Sequence, residues 1–103
     1  MARVARAVIR QREFELMALI VRRSEIDPDK GASLSRASME EYLGLTHMQL
    51  RRLMLQLRDR GYIEIKSRFH EDGGQLENAY ELTEEGRDYF VHLSAELAEE
   101  LKL

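Results

Sequence analysis

The chain has 103 residues, of which 44% are hydrophobic and 34% charged, with a formal net charge of -3 and no cysteine. This length supports one domain with one modest core, and the composition is that of a globular protein rather than a disordered one. The lack of cysteine excludes disulfides, thiolate metal sites and a cysteine nucleophile.

A long N-terminal helix is predicted over residues 1–23, because good helix formers dominate the segment and it contains neither Gly nor Pro. Its longest apolar run, from Leu16 to Val21, is far short of the roughly 20 residues that cross a bilayer. It also lacks a signal-peptide cleavage site, so we expect a cytoplasmic protein with no membrane partner. The following segment, SEIDPDKGAS, predicts a loop, because Pro28 prevents continuation of the helix.

Residues 38–60 have the pattern of two helices joined by a tight turn. Ser38 followed by Glu41 is a capping box, which predicts that a short helix begins there and runs to about Leu43. Gly44 interrupts this helix, and Thr46 can cap the next one. Two helices separated by a short turn with a glycine form a helix-turn-helix.

The second of these helices has one apolar face and one arginine-bearing face. The apolar residues follow the i, i+3, i+4, i+7 spacing of a buried stripe: Leu50, Leu53, Met54 and Leu57. At about 100° per residue, Arg51 and Arg52 lie away from that stripe, together with Met48 and Leu55. Gly61 then ends the helix as a C′ glycine.

A β-hairpin is predicted over residues 62–83, since apolar and polar residues alternate on both sides of the Gly73-Gly74 pair. Thr83 can cap a last helix over residues 84–101, with acidic residues at its positive N-terminal end. A narrow apolar stripe follows that helix: Phe90, Leu93, Leu97 and Leu101.

The charges are unevenly distributed along the chain. Residues 1–23 contain six arginines and two glutamates, and residues 46–70 contain six Lys or Arg and two acids, so each segment has a net charge of +4. Residues 71–103 contain two basic residues and ten acids, a net charge of -8. Because the local potential decides whether a polyanion is attracted, the negative total does not exclude a nucleic acid.

Three stretches together resemble the winged helix-turn-helix transcription regulators of the PadR and MarR types. They are SMEEYLGLTHMQLRRLMLQLRDRGYIEI, RFHEDGGQLENAYELT and LTEEG, and the resemblance covers roughly residues 10–90. It implies a mostly α, α+β fold: one winged helix-turn-helix domain over residues 1–103 with long N- and C-terminal helices. It also implies a homodimeric, sequence-specific regulator of transcription, acting as a repressor on double-stranded DNA.

In such a domain the second helix of the helix-turn-helix enters the major groove, where Arg reads guanine and Gln reads adenine. The expected recognition-helix contacts are Thr46, His47, Gln49, Arg51, Arg52 and Gln56, with base edges assigned to His47, Gln49 and Arg51. The hairpin would act as the wing along the phosphates or in the minor groove. Its expected contacts are Lys66, Arg68, His70, Gly73 and Gly74.

The terminal helices are expected to form the homodimer interface. The residues assigned to it are Val4, Val8, Phe90, Leu93, Leu97 and Leu101, whose helical spacing on the last helix suits a two-helix seam. The basic first helix and the acidic last helix would then attract each other across the dimer. In the alternative arrangement, the stripe of the last helix packs on the first helix of its own chain.

The sequence shows no signature of catalysis or of metal binding. His47, His70 and His92 lie on different elements, and the serines have no partner His and Asp at a recognisable spacing. We therefore expect a non-enzyme without a cofactor, and no residue cluster marks a pocket for a small-molecule effector. Two other functions fit the same pattern: a plasmid- or phage-type replication or maintenance protein, and a winged helix used for protein contacts.

Overall fold

The chain forms a mostly helical α+β structure with the element order α1 (Ala2–Ile26), β1 (Ala32–Ser33), α2 (Arg36–Leu43), α3 (His47–Asp59), β2 (Ile63–Phe69), β3 (Gln75–Leu82) and α4 (Glu84–Glu100). The computed structural model describes residues 2–26, 32–33, 35–69 and 75–100, and the side chains of residues 8–25, 35–67 and 78–100. The helices pack around one core and beside one antiparallel sheet.

The predicted end of the first helix was wrong, because α1 continues past Arg23 to Ile26. The hydroxyl of Ser24 donates a hydrogen bond of 2.9 Å to the carbonyl of Ile20, which keeps the last turn helical. The described helix ends at Ile26, two positions before Pro28 in the sequence.

The segment predicted to be only a loop also contributes a strand. Ala32 and Ser33 form β1, which pairs antiparallel with Tyr80 and Ala79 and makes the strand order β1-β3-β2. A strand of two residues carries no periodic signal in the sequence, so only its partner β3 could reveal it.

The start of α2 was also predicted incorrectly. Its N-cap is Ser35 rather than Ser38: the Ser35 hydroxyl accepts a 3.1 Å hydrogen bond from the backbone N–H of Ser38. Ser35 and Ser38 are three residues apart, and each is a good cap, so the sequence offers two starts. The end at Leu43 is confirmed, and Gly44 follows it in the left-handed conformation with φ of 66°.

The predictions for α3 and α4 are confirmed at their starts. Thr46 is the N-cap of α3, and the Thr83 hydroxyl accepts the backbone N–H of Gly86 at 2.9 Å in the first turn of α4. The four apolar residues predicted for the inner face of α3 are all buried: Leu50, Leu53, Met54 and Leu57. Gly61 adopts φ of 81° after the helix, as expected for a C′ glycine.

The hairpin carries one irregularity. Lys66 pairs with Ala79 and Arg68 pairs with Leu76, so two residues of β3, Glu77 and Asn78, oppose the single residue between Lys66 and Arg68. This is a β-bulge, which bends a ribbon and increases its twist. The outer half of the hairpin is therefore turned relative to the half that joins the core.

The helix α4 begins in direct contact with the residue that precedes β2. A Cβ atom at Gly86 would lie 1.8 Å from the carbonyl oxygen of Tyr62 and 2.8 Å from its carbonyl carbon. The same carbonyl oxygen accepts the backbone N–H of Thr83 at 3.1 Å. Glycine is therefore required at position 86 by the spacing between two backbone segments.

We expect Gly86→Ala to lower the free energy of unfolding by about 1–3 kcal/mol, because the added methyl group forces α4 away from Tyr62. Glu41→Ala, at an exposed position of α2, is the control and should change stability by less than about 0.5 kcal/mol. Urea denaturation followed by circular dichroism measures both. Equal or higher stability for Gly86→Ala, as helix propensity alone would give, would contradict the close approach.

Candidate nucleic-acid interface

The N-terminus of α3 is held by a reciprocal pair of hydrogen bonds. The Thr46 hydroxyl accepts the backbone N–H of Gln49 at 3.2 Å, and the Gln49 side-chain oxygen accepts the backbone N–H of Thr46 at 2.9 Å. This capping box fixes the start of the helix. Because a bidentate contact to adenine needs both the oxygen and the amide nitrogen of Gln, Gln49 in this conformation offers only its NH₂ group.

The outward side of α3 presents two arginines that have no ion-pair or hydrogen-bond partner among the described residues. Arg51 and Arg52 are exposed and lie about 100° and 200° around the helix axis from the buried Leu50. Met48, 66% exposed, lies between them on the same side. Both guanidinium groups are thus available to an external anion.

The remaining predicted contacts of α3 lie on its two flanks. His47 faces α2, where its Nε2 is 3.4 Å from the guanidinium of Arg36 and its Nδ1 is 3.9 Å from the carboxylate of Glu40. Gln49 and Gln56 are exposed on the opposite flank, towards α1. The structure therefore places five of the six predicted residues on α3, divided among three sides, and the sixth, Thr46, at its N-cap.

A groove of about 350 Å³ separates the amide-bearing flank of α3 from the first half of α1. Val8 and Ile9, 50% and 48% exposed, form its α1 wall, and Leu53 and Arg52 contribute from α3. Arg12 also lines it, and its guanidinium donates a 2.9 Å hydrogen bond to the carbonyl of Leu43. None of the described residues that line this groove carries a carboxylate, so they add no negative charge beside Arg52.

The described part of the hairpin is not an exposed cationic surface. The ammonium group of Lys66 lies 3.0 Å from the carboxylate of Glu81 and 3.7 Å from that of Glu64. The hydrogen bond from Lys66 to Glu81 raises the pKa of Lys66, which remains charged but already paired. Arg68 lies in β2 by its backbone, and its side chain is outside the described part. His70, Gly73 and Gly74 are also outside the described residues.

A buried carboxylate lies at the junction between α3 and the hairpin, and the sequence analysis missed it. Glu13 of α1 is 3% exposed and is the buried charged residue of the described core. Its two oxygens accept a 3.0 Å hydrogen bond from the guanidinium of Arg60 and a 2.6 Å hydrogen bond from the hydroxyl of Tyr89. Three elements therefore meet at one charge: α1, the C-cap of α3, and α4.

Two tyrosine rings complete this junction. Tyr62 and Tyr89 stack with their centroids 4.3 Å apart, and the guanidinium of Arg60 lies 4.9 Å and 5.0 Å from the two rings. Such cation–π contacts add attraction that is independent of the ion pair. We refer to Glu13, Arg60, Tyr62 and Tyr89 as the junction cluster.

Two members of the junction cluster, Arg60 and Tyr89, have raised pKa values. Burial of Arg60 opposes its charged form, but the hydrogen bonds to Glu13 and Tyr89 outweigh that effect, and its pKa lies above the ordinary value. Burial raises the pKa of Tyr89, and the hydrogen bond to Glu13 raises it further. At neutral pH Arg60 is therefore a cation and Tyr89 a neutral hydrogen-bond donor.

The sequence did contain a signal for the junction cluster. Glu13, Leu16, Met17 and Ile20 follow the i, i+3, i+4, i+7 spacing, and the three apolar members are fully buried. A carboxylate at the first position of such a stripe must find hydrogen-bond donors inside the fold. The spacing does not indicate which donors, since they come from residues 60 and 89.

The assignment of Leu93 to a dimer seam needs correction. Leu93 is 1% exposed within its own chain, and Phe90 stacks on Phe14 of α1 with ring centroids 5.3 Å apart. These side chains complete the core of the chain, so Leu93 has no surface to offer a second copy. Leu97 is partly buried, and the side chains of Val4 and Leu101 lie outside the described part.

The attraction between the basic and acidic helices also operates within the chain. The guanidinium of Arg10 lies 3.1 Å from Glu96 and 2.9 Å from Glu100, both on α4. The first half of α1 and the second half of α4 are thus neighbours in one molecule. Arg10, Glu96 and Glu100 are therefore paired with each other inside one chain.

Within the described part of the chain, no group of three or more His, Asp or Glu residues could hold a metal ion. Likewise, no described helix has the length and apolar content needed to cross a membrane. Comparison of the chain with protein-family models, with curated proteins and with solved structures gave no match.

Arg60→Met and Glu13→Gln should differ in their effect on stability. Arg60→Met leaves the buried Glu13 carboxylate with Tyr89 as its remaining donor, and we expect a loss of about 3 kcal/mol. Glu13→Gln leaves Arg60, whose side chain is 42% exposed, in contact with water. We expect the second change to cost about 1 kcal/mol.

The double variant Glu13→Gln/Arg60→Met provides the control for this pair. It should be more stable than the sum of the single losses by at least about 1 kcal/mol, because neither partner is then left alone. Urea denaturation of the four proteins gives the coupling energy. Losses that add to within about 0.5 kcal/mol would show that the two residues are not coupled.

Proposed function

We propose that this protein is a winged helix-turn-helix regulator that binds double-stranded DNA through α3. The observation that carries the proposal is the exposed pair Arg51 and Arg52 on the outward side of a helix whose other side is buried. Guanidinium groups without a protein partner are suited to guanine edges and phosphates.

The helix pair α2 and α3 supports this function by its local geometry. Gly44 makes the tight turn between them, and the capping box of Thr46 and Gln49 fixes the end of α3 that would enter the groove. In helix-turn-helix proteins the N-terminal residues of the second helix contact base edges. In this proposal Arg51, which is one turn into α3, contacts a base edge, and Arg52 contacts a phosphate.

The hairpin follows α3 along the chain, as the wing does in winged-helix proteins. The junction cluster lies where the hairpin joins the core. Arg60, at the end of α3, is hydrogen-bonded to Glu13 of α1, and Tyr62, before β2, stacks on Tyr89 of α4. A wing that contacts phosphates must keep a fixed distance from the recognition helix, because both engage one duplex. In this proposal, the pairing of Lys66 with Glu81 leaves Arg68 as the main cation of the wing.

The proposal also includes a homodimer that represses transcription by occupying a promoter. Two copies would present two α3 helices to half-sites about one turn of DNA apart. Origin-type binding by a plasmid or phage maintenance protein would use the same contacts on repeated sites. Footprinting on the DNA adjacent to the gene separates these two functions by the number and spacing of the protected sites.

Protein binding is the second candidate, and two observations favour it. Met48 is 66% exposed at the centre of the outward side of α3, and Val8 and Ile9 are about half exposed in the groove beside it. Apolar exposure of this kind suits a protein partner better than a duplex. Absence of duplex binding at low salt, together with a stable complex with another protein, would favour this function.

The DNA proposal is tested by Arg51→Ala and Arg52→Ala in a binding assay on the upstream region of the gene. Arg51→Ala should cost about 1–3 kcal/mol and relax the preference at one base pair. Arg52→Ala should weaken binding to all sequences and reduce the slope of log K against log salt by about 1.

Arg23→Ala is the matched control, because it removes the same charge from an exposed site at the far end of α1. It should leave both the affinity and the base preference almost unchanged. If Arg51→Ala and Arg52→Ala bind as tightly as the unmodified protein, α3 is not the recognition helix.

A further inference from the structure

A second groove, of about 660 Å³, lies on a different side of the molecule from α3. It runs between the second half of α1 and the first half of α4, and the end of β3 forms its floor. Val21, Leu82 and Phe90 supply apolar lining, and each is only partly buried. The groove contains no residue of α2 or α3.

The α4 wall of this groove exposes apolar surface. Val91 is 67% exposed, the largest exposure among the large apolar side chains of the described core and surface. Small exposed residues continue from it at the helical spacing i+3, i+4 and i+7, namely Ser94, Ala95 and Ala98. Because the distance between packed helices depends on the side chains at the contact, this face permits a close approach of another helix.

The two walls of the groove carry opposite charges. Glu25 on α1 and Arg87 on α4 are both exposed, and neither has an ion-pair partner among the described residues. The third charged lining residue, Glu81, is paired with Lys66. The face therefore combines an unpaired anion, an unpaired cation and an apolar strip.

We infer that a second copy of this chain covers the groove and that the two copies are related by a two-fold axis. In such an interface the same patch is used twice, so residue i meets residue j and residue j meets residue i. Arg87 of each protomer then pairs with Glu25 of its partner, and the Val91 strips of the two α4 helices pack together. A patch with both signs of charge complements itself, whereas a duplex requires a uniformly positive one.

The inference rests on the homodimeric part of the proposed function and not on DNA binding. It moves the interface from the stripe of Leu93 to the opposite flank of α4, where Val91 is exposed. Arg51 and Arg52 remain uncovered in such a dimer, because the groove involves neither α2 nor α3.

Sedimentation equilibrium of the full chain tests the inference by charge reversal. The unmodified protein should dimerise, and Arg87→Glu and Glu25→Arg should each weaken the dimer at least about tenfold, since each creates two like-charge contacts across the axis. The double variant should recover most of the affinity. An equimolar mixture of the two single variants should form heterodimers, because opposite charges then face each other between chains.

Arg23→Glu is the control, because it makes the same charge change at an exposed arginine of α1 that does not line the groove. It should dimerise like the unmodified protein, and circular dichroism should show that every variant is folded. Single variants that dimerise at full strength would overturn the assignment of this face while leaving a homodimer intact. An unmodified protein that stays monomeric at millimolar concentration would overturn the homodimer as well, with duplex binding still to be judged separately.

Discussion

The arrangement of the helices depends on the satisfaction of one buried carboxylate. Glu13 lies in the apolar stripe of α1, where an unpaired charge would be very costly. Its two donors come from Arg60, 47 residues away, and from Tyr89, 76 residues away. Because both hydrogen bonds must form together, α1 and α4 can adopt only one position relative to the end of α3. The same two hydrogen bonds fix the place where the hairpin joins the core.

The parts of the fold that the sequence could predict are those determined by neighbouring residues. Thr46 and Thr83 cap helices through hydrogen bonds to residues three positions later, and Gly61 ends α3 through its own backbone conformation. Ser35 and Ser38 could each cap the start of α2, so the sequence predicts this helix but not its first residue. The strand β1 depends wholly on β3, and no local pattern could reveal it.

In the candidate interface, too, the sequence could predict what neighbouring residues determine, but not what depends on distant residues. The helical spacing correctly predicted an exposed side of α3 that carries Arg51 and Arg52. It could not predict that Gln49 uses its oxygen to cap the helix, or that Lys66 pairs across the hairpin with Glu81. The hydrogen bond of Gln49 depends on its side-chain rotamer, and the pairing of Lys66 depends on the register of the two strands. Whether a polar or charged side chain is available to a ligand thus depends on the tertiary structure. Its exposure on a helix, by contrast, can be predicted from the local spacing of residues.

The bulge in β3 constrains how the hairpin can vary in length. The backbone pairing of β3 with β2 changes phase at Glu77 and Asn78, because β3 has one more residue there than the facing part of β2. Deletion of one of the two residues would restore an even ladder and leave Leu76 opposite Arg68 and Gln75 opposite Phe69. A hairpin without the bulge would therefore be one residue shorter in β3 and keep the same register on both sides of the deletion, at the cost of the added bend and twist.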